Sequence, residues 1–211
     1  MEVNLDLMSF IETSILPRYT VFGRSHDLSH VQRVIANSLE LARRTGADIN
    51  MVYTVAAYHD LGMSGPRAIH HITGGKILAA DARLRKWFSP GQITIMKEAV
   101  EDHRASASHE PRSIYGKIVA EADRDLDPEV VFRRAVEFGL ERDPDKDREW
   151  QWQRFDRHME EKYSARGYIR LWIPNSPNEE KLKQVRDIIA DKVRLREAFN
   201  RLFDEESSSR R

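Results

Sequence analysis

Eight histidines and no cysteine set the chemistry open to this 211-residue chain. Without thiols there is no disulfide scaffold, no cysteine nucleophile and no thiolate zinc site. A metal would have to be held by imidazole and carboxylate, a donor set that suits manganese, magnesium, iron, cobalt, nickel or zinc. Several of these side chains recur at the ends of apolar helical faces. His30 opens the face that continues through Val34, His59 and Asp60 end the helix that closes "AAYHDLG", and Asp123 lies one turn beyond Val119. The His59-Asp60 pair alone fits either a buried histidine beside a helix-ending aspartate or half of a metal site. The order His30, His59-Asp60, Asp123 favours the second: two imidazoles and two carboxylates from different helices would satisfy a hard divalent cation and leave positions open for water and substrate.

The elements that must position them are helical. The chain holds 10 Gly and 8 Pro, about 8.5% against roughly 12% in average usage, and no long period-two stretch. Leu5, Met8, Ile11 and Ile15 recur at helical spacing. Val31, Val34, Ile35, Ser38, Leu39 and Ala42 mark a second helix closed near Gly46, and Asn50 is placed to cap a third. A fourth is expected over 71–87. Ser89 and Pro90 start a fifth, a sixth follows Pro111, and Pro128 opens a seventh. Past Leu140 the chain is charge-dense but carries Trp150, Trp152 and Phe155, an aromatic stripe on a solvated helix. Residues 178–204 read as one final helix. The expectation is a single domain over 1–211, with a core at about 20–140, a helical extension at 141–205 and a disordered tail at 206–211.

"SHVQRV" with His30, "AAYHDLG" with His59-Asp60 and "VAEADRDLD" with Asp123 resemble the H…HD…D signature of HD-domain metal-dependent phosphohydrolases. The resemblance covers roughly residues 20–140. "HHITGGKIL", "HRAS" and "HMEEKY" extend it toward small stand-alone bacterial members. It implies an all-α, HD-domain/PDEase-like helical bundle in which His30, His59, Asp60 and Asp123 bind a divalent metal. Members with two metals add histidines after the HD pair, and here His70 and His103 fill those places, holding a second metal or meeting substrate phosphate. The acidic residue that some members carry just after the HD helix is missing, since "LGMSGPRA" has none.

The implied reaction is hydrolysis of a phosphate ester or anhydride of a small metabolite, with a nucleotide as the expected substrate, by water that a metal activates. Asp60 can bind metal with one oxygen and take a proton with the other. Arg33, Lys76 and His103 are candidates for contact with the phosphate, with Arg104, Lys117 and Arg124 as further cations, while His26 and His109 fall at the rim. The same ligands would also serve a di-iron oxygenase, and a ligand-binding helical domain without catalysis is a third reading.

The 34 basic and 34 acidic side chains cancel, which argues against a sequence-independent nucleic-acid binder. The N-terminus lacks the features of a signal peptide, and no apolar run approaches the roughly 20 residues that span a bilayer. A cytoplasmic enzyme without a membrane partner, monomeric or homodimeric, is expected.

Overall fold

A computed structural model describes residues 2–22, 26–107 and 109–209. Among these residues the regular elements are helical, with no strand, as the sequence led us to expect. Ten α-helices follow in chain order: α1 (Leu5–Ser14), α2 (Leu28–Thr45), α3 (Ile49–Tyr58), α4 (His70–Ala80), α5 (Pro90–Glu101), α6 (Ile114–Ala122), α7 (Pro128–Arg142), α8 (Arg148–Lys162), α9 (Pro177–Ala190) and α10 (Lys192–Ser209). The chain divides into two compact units, Met1–Arg124 with Trp172–Pro174, and Asp125–Leu171 with Asn175–Arg211. No described helix is long and apolar enough to cross a membrane.

In the first unit α3 is the central element. Every residue from Met51 to Tyr58 is buried, the mark of a helix surrounded by its neighbours rather than lying on them. Short polar side chains start the helices around it. Asp27 accepts the His30 amide at the start of α2, and Ser89 with Gln92 forms a reciprocal capping box on α5. Asp48, not Asn50, caps α3, accepting the amides of Asn50 and Met51. On α1 the inward face is Leu7, Ile11 and Ile15, whereas Leu5 is 78% exposed.

Two aspartates break runs that read as continuous. The helix expected over 71–87 stops at Ala80, because the Asp81 side chain turns back to accept the Arg83 amide and also receives the Tyr58 hydroxyl at 2.7 Å. The helix expected over 178–204 is likewise two, parted at Asp191, whose carboxylate accepts the amides of Val193 and Arg194. An aspartate offers the following backbone a local acceptor that competes with the helix ladder.

The second unit packs α7 to α10 around Val131, Phe132, Phe155, Met159, Ile189 and Phe199. Trp152 joins this core beside Phe155, but Trp150 remains 38% exposed, so the aromatic stripe is divided between core and surface. α10 continues to Ser209, into the segment expected to be a disordered tail, because Glu205 and Glu206 both pair with Arg133 on α7. Residues 210 and 211 lie outside the described residues.

Candidate metal centre

Five helices of the first unit bring their termini together. His30 stands in the first turn of α2, His59 caps the C-terminus of α3, and Asp60 opens the 3-10 turn that follows. Asp123 caps α6, His70 begins α4 and His103 follows α5. The HD turn is held from beneath by Tyr19, which donates its hydroxyl to the Ala57 carbonyl at 2.9 Å and accepts the Asp60 amide at 3.3 Å. Burial raises the Tyr19 phenol well above its ordinary value, with the Asp60 charge adding to the shift, so it stays a neutral hydroxyl there. At Gly62 the turn meets α4 so closely that a Cβ would lie 1.8 Å from the His70 carbonyl oxygen. Only glycine permits that approach.

The Asp60 carboxylate, 2% exposed, faces two groups of imidazoles. Oδ2 lies 3.4 Å from His30 Nε2 and 3.3 Å from His59 Nε2, with Asp123 Oδ1 at 3.2 and 3.8 Å from the same two nitrogens. Oδ1 lies 3.6 Å from both His70 Nε2 and His103 Nε2, which are 3.0 Å from each other. Ligand atoms grouped this closely suit a divalent cation. All six metal-site candidates drawn from the sequence are thus side by side.

The hydrogen bonds on the far side of the rings supply a more searching test of fit. His59, His70 and His103 each direct Nδ1 at a backbone carbonyl, of Ala56, Arg67 and Val100, at 2.7, 2.8 and 2.6 Å. A carbonyl only accepts, so each Nδ1 carries a proton and each ring turns Nε2 inward, the arrangement that prepares a histidine for metal. Burial, and then the neighbouring His103, push His70 down to about 4, so it is neutral at physiological pH. His70 Nε2 and His103 Nε2, 3.0 Å apart, are close enough to share a proton or to hold one cation between them.

His59 and His30 differ. Burial opposes charge on both, but the Asp60 charge raises His59 above its ordinary value, and contacts with Asp123 and Asp60 raise His30 to about 9. Asp60 and Asp123 are held low despite burial, chiefly by His59 and by His30 respectively. Arg33 Nη2 comes within 3.2 Å of His30 Nδ1, an approach that favours a bare Nδ1. Two carboxylates outweigh one guanidinium, and either way a proton occupies Nε2 until a cation replaces it.

Of the remaining sequence candidates, Arg33 is at the site and Lys76 is not. Lys76 is exposed on α4. Six residues beyond His70, it points away from the site, since about 100° per residue carries it well off that face. Arg104 donates to the Ala68 carbonyl and Lys117 pairs with Glu110. His109 is 55% exposed, with Nε2 3.9 Å from Asp102. His26, read as a rim residue, is closer than expected: its Nδ1 is 2.6 Å from Asp60 Oδ2, and its Nε2 is buried without a hydrogen-bond partner among the described residues. A cleft of about 620 Å³ is lined by His71, Arg104, Ser106, His109 and Arg112, the sequence neighbours of His70 and His103.

Residues 27–126 match the family model of the HD domain. That stretch is similar to the HD domain. The match begins at the cap of α2, so Tyr19 and His26 stand just ahead of it. HD domains bind divalent metals and serve metal-dependent hydrolases, and the imidazoles and carboxylates present here fit such a cation. Among solved structures, the chain is similar to a crystal structure of a predicted HD superfamily hydrolase from an uncultured Thermotogales bacterium. The two are 22% identical, with a TM-score of 0.49, over 74% of this chain and 86% of the other. Comparison with curated proteins found no match.

Proposed function

We propose that this protein is a metal-dependent phosphohydrolase that cleaves a phosphate ester or anhydride of a small metabolite, with a nucleotide as the substrate class. The observation that carries the reading is the Asp60 carboxylate, turned with one oxygen to His30 and His59 and with the other to His70 and His103. One cation would be held by His30, His59, Asp60 and Asp123, and a second by Asp60, His70 and His103. Bound there, divalent cations supply an acidified water and neutralise charge on the phosphate.

The chain's own groups do the rest. Asp60 Oδ2, 2.6 Å from His26 Nδ1, holds that ring beside the ligand cluster, and His26 accepts the proton of the attacking water. Arg33 offers its guanidinium to the phosphate oxygens once His30 Nδ1 no longer attracts it. His103, 2% exposed and fixed by the Val100 carbonyl, keeps its orientation throughout.

A panel of phosphorylated compounds, incubated with protein loaded with manganese, magnesium, cobalt or nickel, tests this. Release of inorganic phosphate or pyrophosphate that disappears in Asp60→Asn is expected. Fully loaded protein that releases none, or iron-loaded protein that consumes oxygen instead, would overturn it.

A further inference from the structure

The second unit carries a cleft that shares no residue with the metal centre. It lies between α7 and α8, has a volume of about 390 Å³, and is lined by Phe138, Arg142, Trp150, Arg154, Arg157 and His158, with Asp143 and Glu161 as its acids. That volume is within the range of small-molecule sites.

Its arginines lack the close ion pairs that several others in the unit make. Elsewhere in the unit Arg133, Arg148, Arg196 and Arg201 each meet a carboxylate. In the cleft Arg154 meets neutral acceptors, the Ala135 carbonyl and Gln151 Oε1. Burial, only partly offset by Asp143, lowers the hold of Arg154 on its proton. Arg157 is exposed and without an ion pair among the described residues, and Arg142 reaches Asp143 only at 3.9 Å. Arg154 is seated by Gly139: a Cβ there would lie 2.4 Å from its Nη2, in the space the guanidinium fills.

The aromatic side chains are equally out of place for a core. Phe138 is 49% and Trp150 38% exposed, although Trp152 and Phe155 on the same helix as Trp150 are packed inside. Cations flank both rings, with Lys146 5.7 Å from Trp150 and Arg142 and Arg154 at 6.0 and 5.9 Å from Phe138. His158 is pushed down to about 4 by burial, then by Lys162 and Arg154, which leaves an uncharged ring able to donate and accept.

We propose that this cleft binds a nucleotide, with the base against Trp150 and the phosphate on Arg142, Arg154 and Arg157. A bare phosphate would leave the aromatic pair uncovered, and a nucleoside would leave the arginines without an anion. A guanidinium fork matches phosphate geometry, and every base has a face to stack. The balanced charge of the chain, 34 basic against 34 acidic side chains, argues for a single nucleotide over a polynucleotide.

The test is titration of the full-length protein with AMP in excess EDTA, followed by calorimetry and tryptophan fluorescence. Saturable binding with quenching is expected, weakened about tenfold or more by Arg157→Ala and by Trp150→Leu. Both replaced side chains reach solvent, so melting temperatures should hold, and phosphate and adenosine alone should each bind more weakly than AMP. Binding that is absent at millimolar AMP, or equally tight in both variants, would overturn the proposal. So would an oligonucleotide that outcompetes AMP at equal phosphate concentration.

Discussion

Replacing Gly62 with alanine perturbs the metal centre without touching a ligand. The new methyl would start 1.8 Å from the His70 carbonyl oxygen and 2.6 Å from the Gly74 amide nitrogen, and ordinary contact begins only at 3.4 Å. The HD turn cannot retreat freely, since Tyr19 holds the Asp60 amide from below. The displacement therefore falls on α4, which carries His70. His30, His59 and Asp123 belong to other elements, so their group should persist. Overpacking of this kind costs about 1–3 kcal/mol. At roughly 2–4 °C per kcal/mol for a chain of this size, the melting temperature should fall by about 2–12 °C. Misplacement by about 1 Å costs on the order of 100-fold in turnover. Calorimetry, metal analysis after dialysis and phosphate release measure the three effects. The expected variant is folded, keeps the first equivalent of metal, and loses the second together with most activity. A Gly62→Ala protein that melts with the wild type and retains both equivalents would refute the packing argument.

Other expectations follow from the same geometry. His103→Ala should lower bound manganese by one equivalent while leaving the equivalent at His30 and His59; loss of both, or of neither, would contradict the division of the site. Tyr19→Phe leaves the Asp60 amide and Ala57 carbonyl without their partner and should cost about 1–3 kcal/mol of stability, read from chemical denaturation. Lys76→Ala, being exposed on the far side of α4, should leave kcat and KM unchanged, and a tenfold fall would restore it to the site. His30, raised to about 9 in the folded state, stabilises the metal-free protein fully below its unfolded value of about 6.5 and loses that contribution as pH rises through 9. A cation must displace its proton, so the gain in melting temperature on adding manganese should grow between pH 6.5 and 9; a gain independent of pH would remove His30 from the ligand set.

The residues of the centre were legible because imidazole and carboxylate at helix ends stand out against apolar faces, and His30, His59, Asp60 and Asp123 each closed or opened such a face. What the pattern could not supply is reach. His26 precedes the cap of α2, outside any periodic run, and Tyr19 looks like one more apolar residue of the N-terminal segment until its hydroxyl is seen under the HD turn. Lys76 was misplaced by counting turns rather than angle. The all-α class came through because breakers are few, yet Asp81 and Asp191 each ended a helix that periodicity ran through. Burial pattern does not register a side chain that caps the next turn. Trp150 and Trp152 sit two residues apart and part company for the reason any helix gives: about 200° separates them around the axis.

The most direct measurement is an anomalous difference map from crystals grown with manganese. Two peaks are predicted, one on each side of the Asp60 carboxylate, the first touching His30, His59 and Asp123 and the second His70 and His103. Well-ordered crystals with saturating manganese and no peak at Asp60 would contradict the account.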